Sequence, residues 1–177
     1  SLEETSLNVT DVADIDFEMG SSIISAVTAQ KVKKLVGLFP KQLSYETESG
    51  KNKSLDVIVK VKALDKEAVM VATNLARMCS PALAEAYHKR LKHHEAINCH
   101  IREIALYNQT EERFVKHSPK VYGTYQNPER EAFVLVLEKL DQVELINTVE
   151  DTSGWTNDHI KEAIRGAAEL QSIWYGK

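Results

Sequence analysis

The sequence predicts an α+β protein in which an antiparallel sheet of two hairpins packs against a long helix and is followed by a C-terminal amphipathic helix. Three features support this prediction. Two pairs of segments rich in strand-forming residues are each separated by a polar turn. Ser80-Pro81 is a typical start of a helix, and apolar residues recur at helical spacing near the chain end. Hairpins need no crossover connection, so we expect the strands of each pair to run antiparallel.

The composition is that of an ordinary globular chain. Its 177 residues are 43% hydrophobic and 27% charged, and the net charge of −4 argues against a nucleic-acid-binding surface. No apolar run approaches the roughly 18 residues of a membrane-spanning helix, and no signal-peptide pattern is present. The cysteines, Cys79 and Cys99, suit a reducing compartment better than a disulfide framework. We therefore expect a cytoplasmic protein without nucleic-acid or membrane partners. Its first residue, Ser1 rather than Met, suggests a fragment.

The N-terminal quarter gives the weakest structural signal. Residues from Ser1 to about Thr10 are polar and acidic, which predicts a loose terminus. Two alternatives stay open beyond it. Phe17–Ile24 forms a strand, a glycine turn and a second strand, or Ile24–Leu38 forms a short helix.

Two hairpins are predicted from alternating runs on either side of a turn. The first joins Gln42–Thr47 to Leu55–Leu64, and the second joins Pro119–Tyr125 to Ala132–Glu138. Both turns carry the Gly, Asn or Pro residues that reverse a chain.

Two lysines stand inside the apolar strand of the first hairpin. Because side chains alternate along a strand, Lys60 and Lys62 share one face with Ile58 and Leu64. The simplest interpretation is that these lysines are solvated charges on an edge strand. For Lys62, which lies nearer the strand end, we keep that interpretation. For Lys60 there is a second interpretation, a buried cation paired with a carboxylate on a helix, which depends on where the helices lie.

The helices are predicted from start signals and apolar spacing. Asp65 is placed as the N-cap of the first helix. Ser80 as N-cap and Pro81 in the first turn begin a long helix from Ala82 to about Tyr107. Thr156 is the expected N-cap of an amphipathic helix that runs to the end of the chain.

Glu103 lies late in the predicted long helix, on a face whose neighbours are small and partly apolar. A helix packed across the first hairpin would bring Glu103 to Lys60. Each of two buried opposite charges needs the other, because an unpaired one costs several kcal/mol. One known use of such a pair is to hold a lysine toward nucleotide phosphates.

The residues around this pair carry a resemblance to a known fold. Val57-Ile58-Val59-Lys60 resembles the third-strand lysine motif of the protein-kinase-like fold. Arg102–Tyr107 resembles the Glu-containing helix of its small-molecule branch, which comprises aminoglycoside phosphotransferases, choline kinases and ecdysteroid-kinase-like proteins. Pro119–Gly123 followed by Phe133–Leu140 is similar to that branch's fourth and fifth strands and hinge. Ala163–Trp174 is similar to a later helix, with Gln171 where His is usual. The motifs follow the expected order from about Leu55 to Tyr175.

The resemblance implies a role for each matching residue. Lys60 would contact the α- and β-phosphates of ATP, and Glu103 would orient Lys60. Ile58 would line the adenine pocket, and Leu137 would be the gatekeeper residue. The Glu138 carbonyl and the Leu140 amide would hold the adenine edge.

The phosphate loop is the poorest match to the family. The only candidate is Gly20-Ser21-Ser22, and no G-x-G-x-x-G sequence exists. A plain turn is the simpler interpretation of these three residues, although backbone amides and hydroxyls can cradle a phosphate.

The family's phosphoryl-transfer residues are missing after the hinge. No H-x-D or D-F-G-like run follows Leu140. The resemblance therefore implies a nucleotide-binding lobe over 1–140, and a linker with the first helix of a truncated C-terminal lobe over 141–177. The parent would transfer phosphoryl from ATP to a hydroxyl of a small substrate, with Mg²⁺ held by the missing lobe, and this chain alone would be inactive. The alternative is a non-enzymatic kinase-like binding module. Apolar surface on the final helix predicts a homodimer in either case.

A histidine-rich segment invites a zinc interpretation, which we do not favour. Its members are His88, His93, His94, Cys99 and His100. There is no H-E-x-x-H, because Asn98 stands where the second histidine of such a motif belongs. A histidine-rich helix surface is the simpler interpretation, and we predict no metal site.

Overall fold

A five-stranded antiparallel sheet organises the protein, in a computed structural model that describes residues 8–16, 35–93, 97–143, 146 and 152–176. The α+β prediction and both predicted hairpins are confirmed. The sheet order is β1-β2-β3-β5-β4, so β3 is the central strand. The strands are β1 (Asn8–Asp14), β2 (Gly37–Glu46), β3 (Asn52–Val61), β4 (Val121–Asn127) and β5 (Ala132–Glu138).

Strand β1 is an addition to the two predicted hairpins. It pairs antiparallel with β2, from Asn8 opposite Glu46 to Asp14 opposite Lys41, so the predicted loose terminus is wrong for residues 8–10. Every residue of β1 is exposed, so the segment lacks the alternation of apolar and polar residues that predicts a strand. The backbone ladder holds this edge strand in place.

The open alternatives for the segment after β1 fall largely on residues that are not described. Phe17–Ile24 lies outside the described residues, and so does the first part of the alternative helix, residues 24–34. The end of that alternative is wrong, because Gly37 and Leu38 belong to strand β2.

Among the described residues, four helices lie between β3 and β4, and the last of them is a single turn. They are α1 (Asp65–Cys79), α2 (Pro81–Lys89), α3 (Cys99–Tyr107) and α4 (Glu112–Lys116), with a 3₁₀ turn at Leu91–His93; α5 (Asn157–Ser172) follows the sheet. The Ser80 hydroxyl accepts from the Leu83 amide at 3.0 Å, and the Thr156 hydroxyl accepts from the His159 amide at 3.2 Å. Both predicted N-caps are therefore confirmed.

The single long helix predicted from Ala82 to Tyr107 is wrong. Helix α2 ends at Lys89, and α3 begins only at Cys99. The residue that precedes α3, Asn98, has φ of 58°, a left-handed conformation that no right-handed helix can contain.

The start of α1 also differs from the prediction. Asp65 is the first helical residue, and Leu64 occupies the N-cap position. The Glu67 carboxylate reaches back and accepts from the Leu64 amide at 2.8 Å. The Asp65 carboxylate does not cap α1 and instead contacts the start of a different helix.

The core lies between the sheet and helix α3. Its buried members are Leu64, Ile104, Phe133, Leu135 and Leu137, with Tyr107 and Val121 packed around them. In the β3–β5 ladder, Leu135 lies opposite Lys60 and Leu137 lies opposite Ile58. Directly opposed residues share a face of the sheet. Lys60 therefore lies on the face that α3 covers.

Helix α5 presents much of its apolar surface to solvent. Ile160, Ile164, Trp174 and Tyr175 in and after this helix are exposed. Its described contacts are with α4, where the Glu169 carboxylate accepts from Lys116 and His117, each at 2.8 Å. The homodimer through this helix stays a prediction. In the described ranges, no helix has both the length and the apolar character that crossing a membrane requires.

Candidate functional site

The structure brings Lys60 of β3 and Glu103 of α3 into direct contact. The Lys60 ammonium donates a hydrogen bond to Glu103 Oε1. These residues are 43 positions apart, and the contact exists because α3 lies across the β3–β5 part of the sheet. The two residues come together as the sequence predicts, while their roles toward a nucleotide stay predictions.

The prediction for Lys62 is wrong. We predicted a solvated charge, but its side chain is only 14% exposed and its ammonium donates to Glu103 Oε2. It also lies 3.9 Å from Cys99 Sγ, one helical turn before Glu103. Strand β3 ends at Val61, earlier than the predicted end at Leu64, but the Lys62 amide still donates to the Phe133 carbonyl at 2.9 Å. This bond keeps Lys62 beside the sheet, where its ammonium reaches α3.

The electrostatics of Glu103 reflect these two partners. Burial alone would raise the pKa of the Glu103 carboxyl. The hydrogen bonds and positive charges of Lys60 and Lys62 outweigh burial, so the pKa lies below its ordinary value of 4.5. The Glu103 charge acts in turn on Tyr107, whose pKa is raised first by burial and then by this neighbouring carboxylate. Glu103 is therefore ionised at neutral pH and is held on both oxygens.

Asp65 fixes the start of the helix that carries Glu103. Its carboxylate accepts from the Asn98 amide at 2.5 Å and contacts His100 Nδ1 at 2.9 Å. The His100 ring is buried and meets the Phe133 ring edge-on, with the ring centroids 4.4 Å apart. Asp65 thus ties the N-terminus of α3 to the first turn of α1. This contact was not predicted from the sequence.

Two of the predicted adenine residues, Ile58 and Leu137, lie on the same sheet face as Lys60. Ile58 is two residues before Lys60, and its cross-strand neighbour Leu137 is buried. The Glu138 amide donates to the Lys120 carbonyl at 2.8 Å, and the Glu138 carboxylate accepts from the Lys120 amide at 3.1 Å. Neither bond involves the Glu138 carbonyl that the resemblance assigns to adenine. Leu140 follows the strand and is exposed.

The remaining predicted site residues cannot be placed. Gly20, Ser21 and Ser22 lie outside the described residues.

A groove of about 880 Å³ opens at the other end of α3. It lies between the end of α3, the segment around α4 and strand β4, and its walls include Tyr107, Phe114, Tyr122 and Glu138. Among the predicted site residues that the structure describes, Glu138 alone lines this groove. This groove is not the cleft that the resemblance implies.

The histidine-rich segment is divided among separate elements. His88 lies in the last turn of α2, His93 ends the 3₁₀ turn and His100 is buried in α3, while His94 is not described. His100 is already paired with Asp65. Among the described residues, no group of three or more His, Cys, Asp or Glu side chains is arranged to hold a metal ion.

The arrangement places two ammonium groups against one carboxylate. The trio of Lys60, Lys62 and Glu103 therefore carries a net charge of about +1 at neutral pH, in a partly buried position that favours binding of an anion.

The chain matches no family model, no curated protein and no solved structure. Its functional assignment depends on these contacts alone.

Proposed function

We propose that this chain is a nucleotide-binding lobe of the protein-kinase-like fold, in which Lys60 binds the phosphates of ATP. The observation that carries the proposal is the ion pair between Lys60 on the central part of the sheet and Glu103 on the helix packed over it. A lysine on the third strand that is oriented by a helix glutamate is the arrangement by which kinases hold the α- and β-phosphates.

The surroundings of the ion pair support the same assignment. The Lys60 side chain is 30% exposed, about twice as much as that of Lys62, so Lys60 is the lysine of the pair that is more open to a ligand. Ile58 and Leu137 provide an apolar surface on the same face, which suits the flat adenine ring. The net positive charge of the trio favours a polyphosphate over a neutral ligand.

Phosphoryl transfer needs more than these residues provide. A kinase uses a catalytic aspartate and a metal-binding aspartate, and no H-x-D or D-F-G-like run follows Leu140 in these 177 residues. We therefore propose binding of ATP for this chain, and transfer of its γ-phosphoryl group to a small hydroxyl substrate for a parent protein that adds those aspartates and their Mg²⁺. A cytoplasmic location, where ATP is available, suits the two free cysteines.

The second candidate is a kinase-like module that binds a partner or ligand without chemistry. The two candidates differ in the sequence of the intact reading frame: a following segment with H-x-D and a metal-binding aspartate supports the enzyme, and a stop codon soon after Lys177 supports the module.

Replacing Lys60 with methionine tests the nucleotide assignment. We expect the unmodified chain to bind ATP and Lys60→Met to bind it about tenfold to hundredfold more weakly, because a hydrogen bond to a charged group contributes about 1.5–3 kcal/mol. The measurement is isothermal titration calorimetry with ATP, with folding checked by circular dichroism.

Lys53→Met is the matched control for this experiment. Lys53 lies on the same strand, is exposed and stands at the far end from the ion pair. The control should keep the affinity of the unmodified chain. Equal ATP affinity in Lys60→Met, or no ATP binding by the unmodified chain, would contradict the assignment.

A further inference from the structure

One carboxylate serves two lysines in this site. Glu103 Oε1 accepts from Lys60, and Glu103 Oε2 accepts from Lys62. Lys60 lies in strand β3, and Lys62 follows Val61, the last residue of that strand. The Lys62 amide still donates to the Phe133 carbonyl at 2.9 Å, so the backbone stays beside β5 and both lysines reach the carboxylate from the same side. Glu103 thus has a separate oxygen for each cation.

The two lysines are not equivalent. The Lys62 side chain is about half as exposed as that of Lys60 and lies near Cys99, beneath the first turn of α3. Lys60 is the more accessible cation, and it lies next to the apolar pair of Ile58 and Leu137. A ligand that reaches this face therefore meets Lys60 first.

The shared carboxylate matters when Lys60 acquires a second anionic partner. A phosphate draws the Lys60 ammonium away from Glu103, and a mostly buried carboxylate that loses its cation carries a large desolvation cost. With Lys62 on its other oxygen, Glu103 keeps an ion pair while Lys60 donates to the phosphate. Helix α3 then stays attached to β3.

We propose that Lys62 is a positioning residue, which holds Glu103 and helix α3 against strand β3 while Lys60 binds the phosphates of the nucleotide. This inference rests on the nucleotide-binding function proposed above. Without Lys62, Glu103 has Lys60 as its only lysine partner in this trio, and the phosphate must compete with the carboxylate for a single ammonium group.

Comparing ATP with adenosine separates positioning from a general loss of structure. Lys62→Met should lower ATP affinity about threefold to tenfold and leave adenosine affinity unchanged, because adenosine has no phosphate for Lys60. Lys62→Arg keeps the positive charge and should restore ATP binding to within about twofold. Lys66→Met removes a lysine whose partner, Glu131, is on the surface, and it should change neither affinity.

The outcomes distinguish this inference from the proposed function. If the unmodified chain binds no ATP, both are overturned. If it binds ATP and Lys62→Met binds it equally well, the positioning role alone is overturned. An equal loss of ATP and adenosine affinity in Lys62→Met would also overturn it, since that result means that Lys62 only maintains the fold.

Thermal unfolding without nucleotide gives an independent test of the shared carboxylate. Lys60→Met and Lys62→Met should each lower Tm by about 2–4 °C, because each leaves Glu103 one lysine. The double variant leaves it none and should lose more than the sum of the single losses. An additive loss would show that the two lysines do not share Glu103.

Discussion

Replacing Ile104 with alanine should lower the free energy of unfolding by about 2–5 kcal/mol, because the side chain is fully buried between α3 and the sheet. Ile104 is adjacent to Glu103 in the sequence and packs with Leu135, the residue opposite Lys60. The cavity left by truncation therefore lies directly beneath the ion pair. Urea unfolding followed by circular dichroism measures the loss.

The same helix offers a matched control. Ile101 is 44% exposed, so Ile101→Ala makes an identical chemical change without opening a core cavity. We expect that variant to lose less than about 1 kcal/mol. A similar loss in the two variants would mean that α3 does not pack on the sheet through Ile104.

Glu103→Gln should be the second most costly change, with a loss of about 2–3 kcal/mol at pH 7. Glutamine keeps the size of the side chain but removes the charge that neutralises Lys60 and Lys62, whose side chains are 30% and 14% exposed. The value is below that of a fully buried pair because water still reaches Lys60. Glu162→Gln, in an exposed pair with Arg165, should cost less than about 1 kcal/mol.

The cost of Glu103→Gln should depend on pH in a defined direction. The pKa of Glu103 is lowered in the folded protein, so its charge contributes fully above the ordinary value of 4.5. That contribution is lost as the pH falls through the folded-state pKa, which lies below 4.5. The difference between the unmodified chain and the variant should therefore shrink in acid. A difference that is constant from pH 7 down to pH 3 would show that Glu103 does not carry this charge interaction.

The sheet was predictable where local pattern and tertiary structure agree. Both hairpins combine a run of period two with a turn that contains Gly, Asn or Pro, and each signal needs only a few neighbouring residues. The caps at Ser80 and Thr156 are local in the same way. Strand β1 was missed because an exposed edge strand shows no apolar face.

The predictions that failed depend on contacts between distant residues. The break before α3 comes from the left-handed conformation of Asn98, and the amide of Asn98 is satisfied by Asp65, 33 residues earlier. Nothing near Asp65 in the sequence distinguishes that contact from an ordinary N-cap. Tertiary context decides between them.

In the candidate site, the pairing of Lys60 with Glu103 was predicted from the sequence, and the contact of Lys62 with Glu103 was not. Lys60 and Glu103 were found because their spacing and order match a known arrangement of strand and helix. Lys62 lies on the same strand face as Lys60, and this alternation was the signal that could have identified it. How far α3 extends over β3 decides whether Lys62 is buried, and no local pattern encodes that distance.

A methyl NMR titration with ATP tests the central claim most directly. In the unmodified chain with labelled Ile and Leu methyl groups, ATP should shift the signals of Ile58 and Leu137 together and saturably, because both lie beside Lys60 on the face covered by α3. The signals of Ile160 and Ile164, exposed on α5, should not move. The account predicts this localised response. No shift at Ile58 and Leu137 at millimolar ATP, or equal shifts at all four residues, would contradict it.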